Sequence, residues 1–79
     1  MDMNRLDLTQ LQSGKEAKIT EIAGGHRMLS KVESLGIRNG VKIKKVSSQM
    51  MRGPITIQIG KTRVALGFGM AQKIFVSTE

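Results

Sequence analysis

At 79 residues the chain is expected to form one small domain spanning 1–79, whose core supplies only about 3–5 kcal/mol of net stability. It has no cysteine, which excludes disulfide staples and thiolate metal sites, and its 39% hydrophobic content excludes a disordered chain. Thirteen Lys and Arg against six Asp and Glu give a net charge of +7, which suits nucleic acid, anionic lipid headgroups or an acidic protein, or simply keeps a small domain soluble.

In LDLTQLQSG, Leu8 and Leu11 lie three apart with Asp7 and Thr9 as candidate caps, so a single helical turn ending at Gly14 is predicted. The stretch AKITEI, from Ala17 to Ile22, half-alternates with Ala17 and Ile19 on one face. Ile22 breaks that phase, which predicts a bulge or a strand end. Gly24-Gly25 marks a turn. From His26 to Leu35 the period changes: Met28, Leu29, Val32 and Leu35 form one helical stripe, and Arg27, Lys31, Glu33 and Ser34 lie opposite. This predicts an amphipathic surface helix of about ten residues.

The following SLGIRNG stops the helix and launches a strand. Gly36 falls at C′, where left-handed backbone is wanted, and Ile37 at C″ can touch Val32 at C3, as in a Schellman motif. Asn39-Gly40 supplies a second tight turn. Arg38, at the exposed tip, is not needed for that geometry. In VKIKKV, Val41 and Ile43 share a face and then Lys45 and Val46 exchange places, which predicts another bulge. ITIQI alternates strictly, with Ile55, Ile57 and Ile59 inward, and Gly60-Lys61 suits a type II′ hairpin into TRVAL. After the polar, glycine-containing GFGMAQ, KIFV gives a final strand with Ile74 and Val76 inward. About five short strands and one helix predict a mainly β fold, a small β-barrel with one covering α-helix.

No chemistry-bearing constellation accompanies this pattern. Gly60-Lys61-Thr62 lacks the glycine that a P-loop needs five positions earlier, where Ile55 stands, and it lies between two strands instead of opening a helix. GFGMAQ has Gln72 where a dinucleotide fingerprint needs its third glycine. His26 is the sole histidine and reads as a solvated helix-start residue; the six carboxylates are scattered. The residues point to no enzyme, metal site, cofactor or small-molecule substrate. No apolar run reaches the roughly 18 residues of a membrane span, and MDMNRLDLTQ has no signal-peptide core, so a soluble, cytoplasmic protein is expected.

Two binding readings remain. Nucleic acid could be held by Lys42, Lys44, Lys45 and Lys61, although single-strand binders pair basic grooves with aromatic platforms, and here there are only Phe68 and Phe75. Alternatively, the loop Gln49 to Pro54 sets Met50 and Met51 beside Arg52, an adaptable surface of the kind that contacts a partner protein.

The order of these features resembles the FeoA domain family. The family's L-x-x-L-x-x-G is matched by Leu8, Leu11 and Gly14, and its helix-ending L-G-[IL]-x-x-G by Leu35, Gly36, Ile37 and Gly40. Gly53-Pro54, then Ala65-Leu66-Gly67, Ala71 and the closing Ile74 and Val76 complete the series. Lys31-Val32 stands where the family often has Arg-Leu, and Asn39 where a proline is common. The resemblance implies an SH3-like barrel without catalytic activity, a role in bacterial ferrous iron transport, and association with the membrane-embedded, GTPase-like transporter FeoB. On this reading Lys31, Arg38, Met50, Met51 and Arg52 are the expected partner contacts, nucleic acid is the alternative, and a monomer is favoured.

Overall fold

The computed structural model describes residues 5–48 and 52–78. In chain order the elements are β1 (Arg5–Asp7), β2 (Glu16–Ile22), α1 (His26–Ser34), β3 (Lys42–Ser48), β4 (Ile55–Ile59), β5 (Thr62–Leu66), α2 (Phe68–Ala71) and β6 (Ile74–Ser77). All pairings are antiparallel, in the order β1-β6-β2-β3-β4-β5.

Alternation places Ala17, Ile19, Ile43, Ile55, Ile57, Leu66, Ile74 and Val76 in a common core. Leu8 and Leu11 cover it from the N-terminal segment, Val32 and Ile37 from α1 and its exit, and Ala71 from α2. The mainly β architecture expected from the sequence is therefore observed, with three additions. A sixth strand, β1, escapes periodicity because three residues cannot display it. GFGMAQ contains α2, a single turn with Gly67 as N-cap and the Ala71 amide bonded to the Gly67 carbonyl at 2.9 Å. Among the described residues no ladder joins β5 to β1, so the sheet curls around its core without closing.

Both expected bulges are present. The β2–β6 register shifts between Ile19 and Glu21, which returns Ile22 partway to the core. The β3–β4 register shifts between Lys45 and Ser47. The strict pleat persists through Lys45, however, and this lysine, not Val46, takes the buried inward position. The Gly60-Lys61 link pairs Ile59 with Thr62, and Gly60 has φ 60 whereas Lys61 does not have positive φ, as a type II′ turn requires.

The N-terminal turn forms as its caps predict. The Asp7 carboxylate accepts the Thr9 amide at 2.8 Å and also the Thr9 hydroxyl, while Gln10 N–H donates to the Asp7 carbonyl at 3.0 Å. Helix α1 ends in a Schellman motif: Ile37 N–H reaches the Val32 carbonyl at 2.9 Å, Gly36 N–H reaches that of Glu33 at 3.0 Å, and Gly36 has φ 90. Among the described residues no helix is long and apolar enough to cross a membrane.

Candidate interaction faces

At about 100° per residue, Val32 lies in the middle of the α1 stripe, with Leu35 and Leu29 at its two edges. Only Val32 is fully buried. Leu29 and Leu35 are each 36% exposed, the large hydrophobics that overhang into solvent among the described residues. Leu29 joins Ile22, Glu33, Arg38 and Asn39 around a shallow groove of about 320 Å³. Its walls are apolar at Ile22 and Leu29, and Arg38 and Glu33 supply charge of both signs at the rim. Arg38 is held outward because Ile37 beside it is buried and the Arg38 carbonyl accepts the Val41 amide at 3.1 Å across the Asn39-Gly40 turn.

Lys31 is exposed but lies two residues from Leu29, about 200° around the helix, and so occupies the other flank beside Leu35. Arg52 is also exposed, has φ 64, and sets its guanidinium 6.0 Å from the centroid of the Phe68 ring. Arg38 precedes β3 and Arg52 follows it. Its seven residues, at roughly 3.3 Å each, put the two arginines at opposite ends of the strand. Met50 and Met51 lie outside the described residues. The expected contacts thus divide between the groove, the far flank of α1 and the tip of the β3–β4 hairpin. The sequence signal for Leu29 is that Val32 alone sits at the centre of the apolar arc, and for Ile22 that it breaks the alternation of β2.

A second face is built by strand register. On the solvent side of the sheet Glu16, Lys44, Gln58 and Arg63 fall in one row across β2, β3, β4 and β5. In the next row Lys18 lies directly opposite Lys42, and Lys61 follows in the β4–β5 turn. Two shallow clefts of about 350 Å³ each adjoin here, one lined by Glu16, Lys18, Lys42 and Thr78, the other by Glu16, Lys42, Lys44, Gln58 and Gly60.

Lys45 does not belong to that face, contrary to its grouping with Lys42, Lys44 and Lys61. It is 3% exposed, and its amine donates to the carbonyl of Leu11 at 2.5 Å and that of Thr9 at 3.3 Å. Its own backbone is tied to the same segment, accepting from Gly14 N–H at 2.6 Å and donating to the Lys15 carbonyl at 3.0 Å. Burial lowers the Lys45 pKa below the usual 10.5, and the nearby Asp7 carboxylate opposes that shift. The residue fastens the N-terminal segment over the core.

Catalytic or metal-holding geometry has little here to build on. Among the described residues no three of His, Cys, Asp and Glu come together as a metal-binding group. His26 is exposed at the start of α1.

Comparison with known proteins agrees with this architecture. The family model of the FeoA domain matches residues 6–78. Over 65 residues the sequence is 32% identical to a protein of Methanocaldococcus jannaschii named "Putative Fe(2+) transport protein A", a match that covers 82% of this chain and 77% of that one. A crystal structure of iron uptake regulatory protein (FeoA) superposes with a TM-score of 0.86 at 33% identity, covering 92% of this chain and 96% of the other. A manganese-dependent transcriptional repressor superposes with a TM-score of 0.87 at 24% identity, over 95% of this chain but 42% of the repressor. That likeness is one of fold alone. With the family pattern matched through nearly all of the strands and helices described above, the chain belongs to the FeoA domain family, which is associated with ferrous iron transport, and has its SH3-like fold.

Proposed function

We propose that this protein is a non-enzymatic, cytoplasmic interaction module that binds the transporter FeoB and modulates ferrous iron transport. The observation that carries the reading is the α1 groove. Leu29 leaves apolar surface exposed on a helix edge, and Arg38 stands beside it on a turn rigidly fixed at both ends. An apolar patch next to an arginine is the composition of a binding hot spot, because burial and a directed guanidinium act on the same few atoms of the partner. Lys31 on the far flank of α1, and Arg52 with Met50 and Met51 on the β3–β4 hairpin at the other end of β3, supply further contacts away from this centre.

The test is calorimetric titration of the folded protein with the cytosolic part of FeoB at near-physiological salt. Arg38→Glu combined with Leu29→Asp should weaken binding by at least about thirtyfold, the effect of losing one hot spot worth roughly 2 kcal/mol. Met50→Asp with Arg52→Glu should weaken it by a smaller factor. Unchanged affinity in both double variants, with folding intact by circular dichroism, would overturn the interaction module.

A further inference from the structure

We propose that the outer face of β2, β3, β4 and β5 docks on an anionic lipid surface. Lys18, Lys42, Lys44, Lys61 and Arg63 bring five cations together there; of the two exposed carboxylates of β2, Glu16 is opposed by Lys44 in the register and Glu21 lies towards β6, opposite Phe75. The concentration of charge is set by pairing. Lys18 and Lys42 stand directly opposite on adjacent strands, an arrangement that destabilises an antiparallel ladder, whereas opposite charges at the same spacing stabilise it. A fold serving only its own stability would gain from an acid at position 18. Anionic headgroups bound over the pair remove the repulsion, and the two shallow clefts, which share Lys42 and Glu16, leave room for them on the lysine side.

The shape of the face selects lipid over nucleic acid. No aromatic side chain lines either cleft, so there is no platform on which a base could stack. The cations are chiefly lysines on exposed strand positions, spread across the face of four strands with shallow clefts between them. Such clusters are attracted to acidic leaflets by about 1 kcal/mol per basic residue. A family that serves ferrous iron transport works beside a membrane, where this attraction keeps the domain next to the bilayer.

The experiment is co-sedimentation of the full chain with vesicles of phosphatidylcholine, with and without about 30% phosphatidylglycerol, at roughly 0.15 M salt. Binding is expected only to the acidic vesicles and should fall steeply as salt rises. Lys18→Glu changes two units of charge on the face and should reduce partitioning about thirtyfold. The same variant should raise the melting temperature, because position 18 then pairs with Lys42, so a lost interaction cannot be ascribed to unfolding. Arg27→Glu makes the same change of charge on α1, away from both clefts, and should alter partitioning less than threefold, roughly the screened effect of a distant charge. Equal binding to neutral vesicles, equal losses for Lys18→Glu and Arg27→Glu, or tighter binding of single-stranded RNA than of acidic vesicles at the same salt would each overturn the proposal.

Discussion

Replacing Lys45 with methionine is expected to lower the unfolding free energy by about 2–3 kcal/mol, a loss large enough to shift the urea midpoint by about 2 M in a domain of this size. Methionine keeps the buried stem but removes the donor, which strands the carbonyls of Thr9 and Leu11 that the amine now satisfies. An unsatisfied polar group at a buried site costs about 1–3 kcal/mol, and here two are exposed to that penalty. Alanine at 45 should be worse still, since it also empties the space of the stem. A midpoint unchanged in the methionine variant would show that the N-terminal segment is held by its leucines and backbone bonds without help from the amine.

The same lysine gives a pH signature. Because burial lowers its pKa in the folded state relative to the usual 10.5, the folded protein releases this proton at lower pH than the unfolded chain does. In the window between the two values the unfolded state binds more protons, so stability rises with pH there. The contribution is fully present above 10.5 and is lost as the pH falls through the folded value. Wild type should therefore gain stability over Lys45→Met as urea denaturation is moved from pH 8 towards 10.5. A difference between the two proteins that stays constant over that range would contradict the assignment.

Ile37→Ala is expected to cost about 2–4 kcal/mol, as removal of a fully buried isoleucine does, and to leave much of so small a domain unfolded at room temperature. Ile37 is 0% exposed and its N–H donates one of the Schellman bonds that end α1. The neighbouring Gly36→Ala should cost only about 1 kcal/mol. Its φ of 90 disfavours a side chain, but an added Cβ would meet nothing nearer than Ile59 Cδ1 at 4.0 Å. Chemical denaturation of the two variants checks the order of the losses. If Gly36→Ala proved the more damaging, the turn and not the buried side chain would be what anchors α1.

Where the sequence could be read and where it could not follows from the length of the signals. β4 and β6 alternate through four or five residues and α1 repeats through nine, so their inward sides were legible from spacing. The exit of α1 was legible because Gly36 and Ile37 occupy positions with distinct backbone demands. β1 and α2, with three and four residues, are too short for a period to emerge. Lys45 was misplaced for a different reason. Its charge argues for the surface, and the carbonyls that make burial tolerable belong to Thr9 and Leu11, 36 and 34 residues away in the chain. The basic face was half visible: Lys42 and Lys44 alternate on one strand, but Lys18 and Arg63 reach them only through the pairing of β3 with β2 and of β5 with β4.

The position of β6 has a consequence for how the protein is made. It lies between β1 and β2 in the sheet, so Val76 is paired with Leu6 on one side and Ile19 on the other. During synthesis the first two strands emerge with an empty lane between them, and the residues that fill it follow only after β3, β4 and β5. Neither strand can complete its ladder until residue 77 has cleared the ribosome, so the domain must assemble after translation of this region and not alongside it. Contacts that span so much of the chain also make for slow folding, and in that interval the unpaired backbone edges of β1 and β2 are open to whatever chaperone meets them first.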